Sequence, residues 1–115
     1  MDPDPALARQ RLLAERTRLR SEIEEEELVN PEPMTYGSQA ASATQVFDQN
    51  RQRALRERAQ RELAAVDAAL GRIDAGTYGR CTRCGRPIDP ERLDALPHAR
   101  LCINCKEKEE NGKHR

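Results

Sequence analysis

The sequence predicts a mostly α-helical protein: an antiparallel helical hairpin, packed as a coiled coil, followed by a small four-cysteine globule and a C-terminal helix. Three observations predict it. Two long segments carry thin apolar stripes at helical spacing, a short stretch with two prolines and a glycine separates them, and all four cysteines fall in two Cys-x-x-Cys pairs between Cys81 and Cys105.

The first helix starts at Asp4-Pro5. The aspartate side chain can accept from exposed backbone amides, and proline at the first helical position loses no hydrogen bond that the helix needs. The spacing predicts helix to about Leu28. Its apolar positions Ala8, Leu12, Leu19 and Ile23 are four, seven and four residues apart, a narrow stripe that needs a partner helix. Pro31, Pro33 and Gly37 then stop the helix and demand a reversal or an irregular loop.

Helix is expected to resume near Gln39 to Ser42 and to run to about Ala75, closed by Gly76 as a C-cap. Over that stretch Ala59, Leu63, Val66, Leu70 and Ile73 repeat at spacings of four, three, four and three, the complementary seam. About 24 residues at roughly 1.5 Å each give a rod of about 36 Å. The acidic run Glu24 to Glu27 and the arginines at 51, 53, 56, 58 and 61 read as the solvated outside of this rod. In an antiparallel hairpin the acidic end of the first helix meets the basic start of the second.

Asp89-Pro90 opens a short helix that ends before Pro97, and a last helix is expected after Cys105, fraying at Asn111 and Gly112. The domain division that follows is a hairpin over 1–76 with its tip near 30–42, and a four-cysteine module with the C-terminal helix over 77–115.

Composition narrows the function. The three aromatics, Tyr36, Phe47 and Tyr78, cannot fill a large core, so something besides apolar burial must hold the globule. Charged residues are 35% of the 115-residue chain and cancel to a formal net charge of +0, which supplies no overall attraction to nucleic acid or anionic lipid. Charges interrupt every apolar run short of a membrane span, and Met1 to Glu15 shows no apolar leader. A reduced, soluble, cytoplasmic protein is expected, with thiolates in place of disulfides.

Cys81-Thr-Arg-Cys84 and Cys102-Ile-Asn-Cys105 are separated by seventeen residues. Two residues between cysteines let one tight turn aim both sulfurs at one ion, and two such knuckles complete a zinc tetrahedron at about 2.3 Å per sulfur. Four thiolates leave no open position for water, so the zinc is structural and its binding energy is folding energy. Two disulfides or a redox-active pair are the competing readings; the paired spacing favours metal. Four thiolates and one divalent ion leave two negative charges, which Arg80, Arg83, Arg86 and Lys106 are placed to offset. His98 lies between the pairs, but four cysteines already saturate the ion. His114 reads as a solvated tail residue.

The run Ile73-Asp-Ala-Gly76-Thr-Tyr78-Gly79-Arg-Cys81-Thr-Arg-Cys84-Gly85-Arg-Pro87-Ile88-Asp-Pro90-Glu-Arg92-Leu93-Asp-Ala95-Leu-Pro97-His-Ala99-Arg-Leu-Cys102-Ile-Asn-Cys105 resembles the DksA/TraR family of bacterial zinc-finger proteins, over roughly residues 70 to 108, and the hairpin fits the family's shape. The resemblance implies a transcription regulator whose coiled coil enters the secondary channel of RNA polymerase core, with the tip near the catalytic centre and the zinc globule docked outside. It implies no sequence-specific DNA contact. The closed four-cysteine site, with no Gly-rich phosphate loop and no Ser or Cys nucleophile beside a histidine, predicts no enzymatic activity; the interrupted apolar runs predict no membrane association, and a monomer is expected.

The family's acidic tip motif, D-x-x-D-x-A, falls on Ser38-Gln-Ala-Ala41-Ser-Ala43. The last alanine is kept and both carboxylates are absent, with Glu32 and Asp48 the nearest acids. Of the family's basic positions linked to guanosine tetraphosphate, Lys106 is kept while Ala65 and Leu96 occupy two others, so weak or absent nucleotide coupling is expected. The missing tip acids also admit a second reading, an interaction module of the same fold directed at another target such as a ribosome or a stress-related complex.

Overall fold

The computed structural model describes the backbone of residues 4–29 and 43–113 and the side chains of 4–28 and 48–112. Among these described residues four helices follow in order: α1 (Pro5–Val29), α2 (Ala43–Ala75), α3 (Pro90–Ala95) and α4 (Ile103–Lys113). Asp4 caps α1 as its sequence implies, its Oδ1 accepting from Ala6 N at 3.0 Å and its carbonyl from Ala8 N at 3.0 Å. The helix runs one residue beyond Leu28. The resumption expected over 39–42 lies outside the described residues, and α2 is helical from Ala43 onward.

α1 and α2 pack along their stripes. Leu12 and Leu19 from α1 meet Val66, Ala69 and Leu70 from α2, with Ala59, Leu63 and Ile73 half-buried against them. Ala69 is fully buried although the spacing argument left it out. A methyl group at the seam lets the two backbones approach where two leucines would hold them apart. Ion pairs record the register: Arg9 with Asp74, Arg16 with Asp67, and Arg56 with Glu26. Partners ascend along α1 as they descend along α2, so the helices are antiparallel. The last pair is the expected meeting of the acidic end of α1 with the basic start of α2.

α2 ends in a two-bond cap. Gly76 N donates to Ile73 O at 3.1 Å and Thr77 N to Arg72 O at 2.9 Å, closing the last orphan carbonyls, and Gly76 adopts φ +78° to make the turn. The chain then enters the globule. Asp89 caps α3 by accepting from Glu91 N at 3.0 Å, Pro90 takes the first helical position, and Leu93 turns inward.

The last helix differs from expectation. It begins at Ile103, so it includes Cys105, and it continues through Asn111 and Gly112 to Lys113. Cys102 stands just before its first turn, and its carbonyl accepts from Lys106 N at 2.9 Å. The second knuckle is thus the start of a helix, where three residues of rise return Cys105 to the side of Cys102. Lys106 with Glu110 and Arg100 with Glu109 support this polar helix further on.

The globule has its own core of Cys81, Ile88, Leu93, Leu101 and Cys105, with Tyr78, Ala99 and Cys102 packed against it. Three aliphatic side chains are too few to hold it alone, which leaves the cysteines to supply the remainder. Among the described residues no helix is long and apolar enough to cross a membrane.

Candidate metal centre

The first knuckle is a tight reversal. Arg80 and Pro87 form an antiparallel bridge, Cys81 N donates to Arg86 O at 2.8 Å, and Gly85 N returns to Cys81 O at 2.9 Å. Gly85, at φ +77°, turns the chain just after Cys84 where an L side chain would be strained. Thr82 N donates to Arg100 O at 2.8 Å and ties this knuckle to the segment leading into the second.

The two knuckles bring the sulfurs of Cys81, Cys84, Cys102 and Cys105 within 4.8 Å of one another. Cys84 Sγ and Cys102 Sγ are 3.8 Å apart, and all four cysteines are free thiols. A disulfide would require about 2.05 Å. A tetrahedron with bonds of about 2.3 Å has edges of roughly 3.8 Å, so the spacing fits four sulfurs around one zinc. Cys81 and Cys105 are buried, Cys102 is half-buried and Cys84 is exposed.

The thiols are electrostatically unequal. Burial raises Cys81, yet the backbone amides of Cys102, Cys84 and Arg83 facing its sulfur outweigh that and hold it at about 6. The amide of Cys105 lowers Cys102 against the opposing effect of burial. Cys105 is pushed up to about 12, first by burial and then by the surrounding sulfurs. Four thiols in one small space cannot all ionise together unless a cation joins them, and a divalent ion with soft-ligand affinity is the group this donor set fits. No position is left for water or substrate, so what the ion supplies is cross-linking. Arg80, Arg83 and Arg86 are exposed around the first knuckle.

His98 is not part of this centre. It sits half-buried with Nδ1 3.7 Å from Glu15 Oε1 on α1. Ser38 and Ala41 lie outside the described residues, as does His114, and Ala43 opens α2 without a described side chain. Lys106 has its ammonium 3.8 Å from Glu110, so its charge is shared. It also lines a cavity of about 220 Å³ between α2 and the globule. The same cavity is lined by Ala65 and Leu96, so the fold brings together the three positions that the resemblance connected with nucleotide. Arg72, Arg92 and Arg100 line it as well, and sequence reasoning had missed them because nothing local in the chain says that α2 and the globule share a wall. Burial lowers the Arg72 pKa from its usual value, with nearby Arg100 adding to the effect. Arg92 Nε is occupied by a bond to Leu101 O at 3.2 Å.

Over its whole length this arrangement matches a solved structure, that of transcription factor DksA2 from Pseudomonas aeruginosa. The TM-score is 0.75 and the identity 31%, with 99% of this chain and 95% of that one covered. The chain belongs to the DksA/TraR family. The family's prokaryotic dksA/traR C4-type zinc finger matches residues 76–111, which contain all four cysteines, and a structural zinc is the cofactor of this DksA/TraR chain. An uncharacterized protein of Aquifex aeolicus is 48% identical over 48 residues, 42% of this chain and 33% of that protein. The RNA polymerase-binding transcription factor DksA of Haemophilus influenzae is 39% identical over 51 residues, 44% of this chain and 35% of that protein. The matched segment thus spans about a third of the length of these curated relatives.

Proposed function

We propose that this chain is a non-enzymatic transcription regulator that binds RNA polymerase core, with its hairpin entering the secondary channel and its finger module docking outside. The observation that carries this reading is the match, over nearly the full length of both chains, to a solved transcription factor of the same family. The architecture suits the task. α1, at 25 residues, is about 37 Å long, and its exterior is charged and ion-paired, so the hairpin needs no further protein around it to remain a rod.

In this reading the hairpin over 1–76 is the probe and the module over 77–115 is its base, with Cys81, Cys84, Cys102 and Cys105 as the zinc ligands. Ser38, Ala41 and Ala43 occupy the polymerase-directed tip. Without carboxylates at 38 and 41 the tip cannot act on a metal-containing active site by negative charge, so binding survives better than regulatory effect. Lys106 is the one basic position kept for nucleotide coupling, and its pairing with Glu110 is consistent with a weak response. A chain that acts on polymerase in this way works in the cytoplasm and reads no DNA sequence.

The test is whether the zinc-loaded protein co-elutes with bacterial RNA polymerase core, and whether a transcript-cleavage factor that occupies the secondary channel displaces it. Displacement supports the channel; no association at micromolar concentration overturns the reading. The absent tip acids favour one alternative, the same fold directed at another target. Capture of ribosomal proteins in place of polymerase subunits would select it.

A further inference from the structure

In the half of the hairpin away from the finger, the seam between α1 and α2 opens into a groove of about 300 Å³. The seam spacing explains the opening. Counting back along α2 from Leu63 by four and then three residues gives Ala59 and Arg56, so the layer after Ala59 is the Arg56 and Glu26 ion pair instead of two apolar side chains. Leu19, Ile23 and Ala59 floor the groove, and Leu55 stands at its rim, 55% exposed. The two lips carry opposite charge. Glu22 and Glu26 line the α1 side, while Arg56 and Arg58 line the α2 side with Glu62 beside them. One oxygen of Glu26 accepts from Arg56 Nε, and the other, Oε1, is buried with no hydrogen-bond partner among the described residues, an acceptor still wanting a donor.

We propose that this groove is the face on which a second copy of the chain docks, about a two-fold axis running along the groove. A two-fold interface is one patch used twice, so the patch has to hold both a group and the complement of that group. This patch does: it carries an apolar rim and an apolar floor, an acidic lip and a basic lip. With the axis along the rod, α1 of each copy lies against α2 of the other, and Leu55 meets the partner's Leu55 near the axis. With the axis across the rod, α1 would face α1 and acid would meet acid, so charge selects the first arrangement. By the register of the Arg16 with Asp67 and Glu26 with Arg56 rungs, Glu22 and the partner's Arg58 then differ in height by two or three residues, roughly 4 Å, which an arginine side chain spans.

The groups that pair across the axis are lightly held in the single chain. Among the described residues Glu22 is paired with Arg18 at 2.9 Å and Arg58 with Glu62 at 3.6 Å, each within its own helix. The Glu22 side chain is 53% exposed and that of Arg58 72%, and ion pairs so exposed exchange partners at little cost. The patch covers about two turns of each helix, at the small end for a complex, since stable partners bury roughly 800 Å² each. The dimer is therefore weak, reversible and weakened further by salt, and the expected monomer is its dilute form. Paired hairpins are four helices thick, so association withdraws the chain from any channel that admits a single hairpin. The docking itself rests on the groove and stands or falls independently of polymerase binding.

The test is sedimentation equilibrium of the intact zinc-loaded protein at low salt, from micromolar to millimolar concentration. The mass is expected to rise from that of one chain toward that of two. Leu55→Gln, Glu22→Arg and Arg58→Glu all change exposed positions, so circular dichroism should show the helices intact, while each substitution weakens association by more than about tenfold. An equal mixture of the Glu22→Arg and Arg58→Glu proteins is expected to associate again, because both contacts across the axis then join opposite charges; damage to the fold could not produce that recovery. A chain that stays monomeric at millimolar concentration overturns the proposal, as does a dimer indifferent to both charge reversals or a mixture that fails to recover.

Discussion

Cys84 and Cys102 stand eighteen positions apart in the chain and hold their sulfurs 3.8 Å from each other, too far for a disulfide and at the edge length of a zinc–sulfur tetrahedron. Among the described residues, the core of the globule around them has Ile88, Leu93 and Leu101 as its aliphatic members besides the cysteines. Chelation of the zinc, or Cys81→Ser, is therefore expected to melt residues 78–105 while most of the helicity of α1 and α2 persists, because the Leu12, Leu19 and Val66 core is separate. Circular dichroism together with amide spectra before and after chelation checks this. Loss of the hairpin in the same step would show that the two cores are one cooperative unit.

Acid should release the metal. Cys81 is held at about 6, below its usual value of 9.0, so the stability contributed by its ionised form is fully present above that usual value and is lost progressively as pH falls toward and through about 6. The three other sulfurs must also be deprotonated to serve as ligands, which makes proton competition steep. Zinc is expected to stay bound at pH 7 and above and to be released below about pH 6, followed with a zinc-sensitive dye. Tighter retention at low pH than at neutral pH is the opposite sign and would refute the assignment.

The hairpin seam can be probed from both sides of its packing. Leu12 is fully buried, so Leu12→Ala should cost about 2–5 kcal/mol in urea unfolding. Ala69 is equally buried, and Ala69→Leu should cost about 1–3 kcal/mol by forcing the helices apart. Leu28 is 83% exposed, and Leu28→Ala should change stability by less than about 0.5 kcal/mol.

At Gly76 a Cβ would meet no heavy atom within 4 Å, so a substitution there tests backbone conformation alone. Gly76→Ala places an L side chain at φ +78° and should destabilise the cap by about 1–2 kcal/mol. Gly76→Asn should cost less, since asparagine tolerates that region better. Equal losses for the two variants would mean that the cap responds to something other than φ.

Features written in neighbouring residues are legible in the sequence. Asp4 and Asp89 announce their helices because capping acts within two or three positions, and the four cysteines announce a metal because each pair needs only one turn. Both stripes were readable from periodicity, but Ala69 was not, since alanine is common on exposed helix faces and its value here depends on Leu12 and Leu19 standing opposite. The start of α4 was misplaced because Cys102-Ile-Asn-Cys105 reads locally as a turn, whereas the bond from Lys106 N to Cys102 O makes it helix. The joint between finger and hairpin was illegible for a simpler reason. Arg11 and Asp94, or Glu15 and His98, are more than eighty residues apart, and only the tertiary path of the chain brings them together.

The ladder of Arg9 with Asp74, Arg16 with Asp67 and Glu26 with Arg56 constrains how this protein can change length. An insertion in one arm would shift every rung beyond it and turn the apolar stripe away from its counterpart. Arm length is therefore free to vary only in matched steps, seven residues added to α1 and seven to α2, each preserving both the facing side and the rungs. Reach and register are inherited together, so a longer or shorter probe has to arise by paired change in two places in the gene.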